Sequence, residues 1–409
     1  MRKGWGALRR FRRAAVALVA LALLPVALAA ASALPGTSAG PAAAASGLVA
    51  QDVNLPYVEA LQRSQQSELF APFLWNGHSV TGPFVTFDFS PETGRIVGLF
   101  AVNETEADLL VDSMQLVGFT PTTNPQAAGS TFVANGFGVT LVSHDEPTAL
   151  LEVKTTGEPR TVTFSFPTNT SDLQLSQAMI WPRSSLSFSV GGSDGRIIVG
   201  RGALAVNGTT VTAKLSADDY LAFRAVPSFT EHAAERNAVL DAFASGRLAA
   251  EYDLVAMSNG GWLENEAEYQ PTLKMAGSGI GFGTASVSLS SSETREGLVL
   301  LAFDPQTMPA GAGHQIVVRD NGAPISETSS PLASLYASAG YSEQASFARL
   351  PMNATVLVVY LPSLSASTLT VNSVPLTSTG LDTGTLLAMV AAIFVVSVAA
   401  AVMFRPRRD

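Results

Sequence analysis

The chain has 409 residues, of which 14% are charged and none is cysteine, where an average soluble protein is roughly a quarter charged. Lack of cysteine excludes a disulfide-stapled scaffold, a thiolate metal site and a thiol nucleophile. The net charge of −9 is uneven: residues 1–13 hold six basic side chains and the last five hold three arginines against Asp409, which leaves 15 basic against 32 acidic residues between them, a balance that disfavours nucleic acid as a partner.

In chain order, the basic start is followed by an apolar run over 14–34 and by the small-x-small site Ala31-Ser32-Ala33. This is the layout of a secretory signal over 1–33, and Pro25 with the Ala-rich tail favours cleavage over a retained signal anchor. A Pro/Gly/Ser/Ala linker fills 34–47. The G-x-S-x-G match at Gly36–Gly40 lies in that linker and not on a strand-to-helix elbow, so it carries no nucleophile.

From residue 48 onward turn chemistry dominates. Five of the 13 asparagines are followed by glycine, at Asn76, Asn135, Asn207, Asn259 and Asn321, and Asn-Gly suits two-residue hairpins because both positions take positive φ. Strands are expected at 84–89, 96–102, 132–134, 139–142, 149–154, 161–166, 185–190, 203–206, 209–214, 220–226, 248–255, 280–289, 298–303, 315–318, 323–326, 355–361 and 367–371, with further turns at Gly94 and Asp194-Gly195. One amphipathic helix interrupts them over 230–245, opened by a Ser228/Glu231 capping box and ended by Gly246. A shorter helix is expected over 331–339.

The fold class is therefore mainly β. An N-terminal β domain (48–226), with solenoid-like short strands over 173–226, is joined by a connecting helix (227–246) to a C-terminal β-sandwich domain (247–378), the sandwiches being Ig-like in strand spacing. A juxtamembrane spacer (379–384) leads to 385–404, 20 residues without a charge, which match the hydrocarbon thickness as a single transmembrane helix. The arginines of the 405–409 tail place it in the cytoplasm and the acidic body outside.

Groups able to do chemistry are few. The four histidines lie at 78, 144, 232 and 314, without ligand spacing, so no metal and no cofactor are expected. Ser143-His144-Asp145-Glu146 reads as a charged turn, since neighbours in an extended chain face opposite ways and form no triad. Asp218-Asp219 reads as another turn. Glu264, Glu266 and Glu268 alternate and share one strand face. They are either a Ca²⁺ or glycosidase carboxylate row or charge that blocks edge pairing, and the second is favoured. The glycines of 277–283 lack dinucleotide spacing and mark a bulge or close backbone approach. Trp75, Trp181 and Trp262 flank turn signals, as platforms for a sugar or protein do, although tryptophans that plug a sandwich end also fit. Asn103, Asn169, Asn207 and Asn353 open N-x-[S/T] sequons; Asn103, Asn169 and Asn353 are the glycosylation candidates, Asn207 being committed to a hairpin.

Three stretches resemble anchored cell-surface β-sandwich proteins of euryarchaea. They are Val142–Leu151, Ala205–Thr209 leading into Leu221–Ala225, and Val356–Pro362 followed by Ser363-Leu364-Ser365, where Leu364 replaces the aromatic of a "VYxPxFS" close. The resemblance implies export and anchoring and no reaction, and 20 arginines against four lysines fit a GC-rich archaeal or actinobacterial genome. The expected function is non-catalytic binding or scaffolding at the cell envelope, with the membrane and an extracellular protein or glycan as partners. The alternatives are an anchored carbohydrate-binding protein or glycosidase, and an accessory subunit of an envelope membrane complex.

Overall fold

The computed structural model describes residues 68–177, 183–257, 261–270, 272–311, 313–328 and 344–376. The expected signal, linker, Asn259-Gly260 turn, 331–339 helix, Trp181 and the 385–404 span lie outside the described residues. Among the described residues, no helix is long and apolar enough to cross a membrane.

Sixteen described strands precede the helix: β1 (Leu74–Trp75), β2 (Ser79–Thr81), β3 (Val85–Ser90), β4 (Arg95–Val102), β5 (Ala107–Val117), β6 (Gln126–Ala128), β7 (Thr131–Gly136), β8 (Val139–His144), β9 (Leu151–Thr155), β10 (Arg160–Ser165), β11 (Thr170–Gln177), β12 (Ser184–Val190), β13 (Ser193–Val199), β14 (Ala203–Asn207), β15 (Thr210–Leu215) and β16 (Tyr220–Val226). After α1 (Ala233–Ser245) come β17 (Leu248–Ala256), β18 (Trp262–Glu268), β19 (Leu273–Gly281), β20 (Thr284–Ser291), β21 (Gly297–Phe303), β22 (His314–Asp320), β23 (Ala323–Pro324), β24 (Ser326–Glu327), β25 (Ser346–Pro351), β26 (Thr355–Leu361) and β27 (Ala366–Pro375).

They form four sheets. The first runs β1-β2-β3-β4-β5-β10-β15-β14 and the second β11-β12-β13-β16-β9-β8-β7-β6, while the third runs β18-β17-β21-β26-β25-β24 and the fourth β19-β20-β27-β22-β23. Every described pairing is antiparallel except β17 with β21 and β24 with β25. The strands of 173–226 are antiparallel members of the first two sheets, so the solenoid expectation for that stretch is corrected.

Three apolar cores separate the four sheets. Phe87, Phe89, Phe132, Phe164, Phe188 and Phe223 fill the space between the first and second, and Val287, Val318, Leu357, Val359, Leu369 and Val371 fill that between the third and fourth. A middle core joins the second sheet to the third, built from Leu150, Ile198 and Ala222, the α1 side chains Val239 and Phe243, and Leu298, Leu300, Val356 and Val358. The inner strands are consequently buried on both faces. Along β21, Leu298, Leu300 and Ala302 enter the middle core while Val299, Leu301 and Phe303 enter the outer one. This explains why β21 reads as a continuous apolar run, and why β16, β17 and β21 are buried at every position, the charges Arg224, Glu251 and Asp253 included.

Helix α1 ends at Gly246 with φ 82, its N–H donating to the Phe243 carbonyl at 3.1 Å. The expected capping box does not form. His232 is the N-cap in a left-handed conformation without a side-chain cap, and the Ser228 hydroxyl donates instead to Asp108 at 2.9 Å. Arg236 is buried on the helix and donates to the Glu68 carboxylate at 3.0 Å.

Turn positions shift by one residue or more from the Asn-Gly reading in three hairpins, to Gly77-His78, Phe137-Gly138 and Gly208-Thr209, and from the Asp194-Gly195 reading in a fourth. Between β7 and β8 the turn is Phe137-Gly138, and Gly136 lies inside the strand because a Cβ there would come within 2.6 Å of the Phe119 ring. Between β12 and β13 the turn is Gly191-Gly192, and Gly195 lies beneath Phe188. Asn321-Gly322 does form the two-residue turn expected of it, with φ of 49 and 83. The expected 280–289 strand is two strands, parted at Phe282-Gly283, with a register shift between Ser278 and Gly281.

Candidate functional site

The polar side chains that the sequence spreads over 120 positions converge between the second and third sheets. Ser143, His144, Asp145 and Glu146 are each no more than 3% exposed: β8 runs on through His144, and the charged turn read from the sequence forms at Glu146–Ala149 inside the molecule. They lie where β8 leaves the second sheet toward the third, so a turn that would ordinarily face water is covered by β17 and β18.

Asn265 on β18 is the centre of the cluster. Its side-chain oxygen accepts from His144 Nδ1 at 2.7 Å and from the Ser130 hydroxyl at 3.2 Å, while its amide nitrogen donates to Glu146 at 3.3 Å and Asp253 at 3.1 Å. One buried amide thereby ties three positions before α1 to one after it. The other ring nitrogen of His144 faces Glu152 at 3.8 Å, and Lys154 reaches Glu152 at 3.3 Å and Glu268 at 3.8 Å. Arg224 on β16 pairs with Glu251 on β17, reaches Glu146 at 3.5 Å and donates to the Thr148 hydroxyl at 2.9 Å and to Tyr269 at 3.4 Å.

Electrostatics follow from this packing. Burial alone would strip the Arg224 charge, but Glu251, Tyr269 and Glu146 outweigh it and hold the guanidinium charged. Burial, with Glu146 and Glu251 nearby, pushes Asp253 well above the usual carboxylate range. Burial likewise raises Asp145, even though the N–H groups of Phe84 and Val85 donate to it at 3.0 and 2.9 Å. For Glu152 burial pushes up, yet Lys154 and His144 overcome it and leave the carboxyl below its usual value. His144 is pulled down by burial and raised further by Glu152, Glu146 and Asn265, ending above an ordinary imidazole.

The cluster opens on a cavity of about 40 Å³ lined by Glu146, Arg224, Glu251 and Asp253 on one side and by Leu300 and Val356 on the other. That volume suits water, whose share of the liquid is about 30 Å³. Among the described residues no group of three or more His, Asp or Glu is placed to hold a metal ion. What the arrangement does chemically is join two layers through the Arg224–Glu251 pair and the Asn265 amide, while Glu152 is answered within its own sheet by Lys154 and His144.

The residues singled out from sequence lie elsewhere. Glu264, Glu266 and Glu268 do share one face, and that face turns to β19. Gly277 N–H donates to Glu266 at 3.2 Å, Met275 N–H to Glu268 at 2.8 Å, and the Tyr252 hydroxyl to Glu264 at 3.0 Å. The row therefore occupies the otherwise unpaired N–H groups along the outer edge of β19. Burial and then the neighbouring carboxylates raise Glu266, against the Gly277 N–H. Gly277 must be glycine, since a Cβ would sit 2.2 Å from the Tyr252 hydroxyl, in keeping with the close approach expected for 277–283.

Trp75 is half-buried, its ring 5.2 Å from Phe132 and 6.3 Å from Phe89. It closes an end of the first core. Trp262 is also half-buried, packed 5.4 Å from Phe282, which is 68% exposed. Asn103, Asn169, Asn207 and Asn353 are exposed, and Asn103 already accepts from the N–H groups of Thr105 and Glu106. Asp218-Asp219 is a turn, with Asp218 at φ 52.

Arg224, Glu251, Asp253 and Asn265 went unmarked in the sequence reading. A signal exists for them: Arg224 between Ala222 and Val226, and Asn265 between Leu263 and Ala267, are lone polar residues on an apolar strand face, and Glu251 with Asp253 form a polar pair flanked on that face by Ala249 and Val255.

The sequence matches no protein-family model, and no curated protein is detectably similar to it.

Proposed function

We propose that this chain is a non-catalytic, membrane-anchored protein of the cell surface, whose ectodomain is a stiff unit for binding or scaffolding at the envelope. The observation that carries this reading is the use made of the acid-base groups. His144, Asp145, Glu146, Glu152, Glu251 and Asp253 are each no more than 5% exposed; His144, Glu146, Glu251 and Asp253 bond across the second and third sheets through Asn265 and Arg224, Asp145 holds the Phe84 and Val85 N–H groups, and Glu152 pairs within its own sheet. The signal-like start, the uncharged 385–404 run with its flanking arginines, and the resemblance to anchored euryarchaeal surface proteins support the anchored topology.

Because the chain lacks cysteine, topology can be tested with single cysteines at Thr294, which is exposed, and at Asp409. A membrane-impermeant maleimide should label Thr294→Cys in intact cells and Asp409→Cys only after lysis. The reverse pattern, or equal labelling of both before lysis, would sink the anchored reading. A glycan array probed with the full chain should give no sugar signal that depends on Trp262, and one abolished by Trp262→Ala would move the protein to the carbohydrate-binding class.

A further inference from the structure

The third and fourth sheets end together at one pole, from which the chain leaves toward its C-terminus. The 304–313 loop closes this pole: Gly283 N–H donates to the Thr307 carbonyl at 2.8 Å, the Thr355 hydroxyl to Met308 at 2.7 Å, the Ser373 hydroxyl to Pro309 at 2.5 Å, and Leu376 N–H to Gly313 at 2.7 Å. The described segments that build its surface, 261–262, 275–284, 305–311, 351–355 and 371–376, contain no Asp, Glu, Lys or Arg. At the opposite ends of the same strands stand Glu293, Arg295, Glu296 and Asp320. Charge begins only at the pole's rim, where the Glu327–Arg349 pair shares a cavity with Ala310, Pro351 and Thr355 and where Glu264 is exposed on β18; in a body with twice as many acidic as basic residues, a pole whose own loops carry no charge is a departure from composition.

Beside the exposed Gln306 and Asn353, that pole presents apolar side chains to solvent. Phe282 is 68% exposed, Leu376 56% and Val374 45%, with Trp262 against Phe282. Eight residues, 377–384, separate Leu376 from the uncharged 385–404 run, and even fully extended they reach no more than about 28 Å.

We propose that this pole docks on the outer surface of the bilayer that holds the chain's own C-terminal helix, with Phe282 and Leu376 entering the headgroup region. The inference rests on the membrane-anchored reading above. Interfacial insertion of exposed aromatic and aliphatic side chains is favourable, loops without charge bring no carboxylate against anionic lipid, and a short tether gives the pole a high effective concentration at the surface.

The test uses the full chain reconstituted in phosphatidylcholine vesicles doped with a headgroup nitroxide lipid. A fluorophore is placed on Gly311→Cys, where a side chain meets nothing within 4 Å, or on Thr294→Cys at the far end of β20, whose eight residues span about 27 Å. Quenching at 311 well above that at 294 is expected. Phe282→Ser with Leu376→Ser, both at exposed positions and checked by circular dichroism, should lower the docked-to-free ratio roughly tenfold. If the protein floats with vesicles and resists alkaline extraction, yet 311 and 294 are quenched alike or the double substitution changes nothing, docking is wrong and anchoring stands. If it does not float, both fall. Energy transfer between copies labelled at 311 in detergent, without lipid quenching, would assign the pole to a contact between copies instead.

Discussion

Asn265 shows how much one amide can hold when all four of its hydrogen-bonding capacities are used inside a low-dielectric layer. Asn265→Ala leaves His144, Glu146 and Asp253 buried with fewer partners, and a loss of about 3 kcal/mol is expected in denaturant unfolding. The titrating groups around it set a direction for pH. Asp145, Asp253 and His144 have folded values above their unfolded ones, so the stability they contribute is complete below the unfolded value and is lost as pH rises through the folded one. Glu152 runs the other way: its contribution is present above the ordinary carboxylate value and is lost as pH falls through its own lowered value. Glu251, raised by burial, runs with the first three, and four groups against one predict a higher melting temperature near about pH 5 than near about pH 9. Asp253→Asn, which keeps an acceptor for Asn265 without a charge, should flatten that slope in a pH series of melts; an unchanged slope would assign it to the other groups.

Edge strands are the weak points of open sheets, and β18 and β19 are both edges. The glutamates of β18 answer the problem by accepting from β19 N–H groups. Replacing Glu266 and Glu268 with Ala should speed hydrogen exchange at the Met275 and Gly277 amides while leaving Val287 and Leu289, in the interior of β20, protected. Most strands were legible in the sequence because alternation and β-branched residues mark them; β16 and β26 match their expected bounds, 220–226 and 355–361. Missed elements have physical reasons. The 11 residues of β5 include Glu-flanked and polar positions that mask its alternation. Gly136 and Gly195 carry the sequence signature of turns, yet their role is to let Phe119 and Phe188 lie on the strand. Of the polar cluster, Ser143–Glu146 stand together in the sequence, but Arg224, Glu251, Asp253 and Asn265 join them only when the second sheet meets the third. Each alone looks like a surface charge.

For the whole molecule, the middle core makes the 68–226 and 233–376 regions energetically one body. Unfolding of the full chain should therefore show a single calorimetric transition for the described region. Leu300→Ala, in the middle core, should lower it by about 2–5 kcal/mol without splitting it; two resolved transitions would mean that the layers melt independently. Expressed alone, 48–226 or 247–378 would present Leu150, Ile198 and Ala222, or Leu298, Leu300, Val356 and Val358, to water, and association or aggregation is expected in light scattering. The strand that leaves toward the C-terminus adds a mechanical consequence. β27 lies in the interior of its sheet, paired from Ala366 to Asn372 with β20 and from Leu369 to Pro375 with β22. Tension transmitted through Leu376 pulls along that strand and loads both ladders in shear, so their bonds resist together. An edge strand under the same force would peel open one bond at a time, and the attachment would be the first part of the fold to fail instead of among the last.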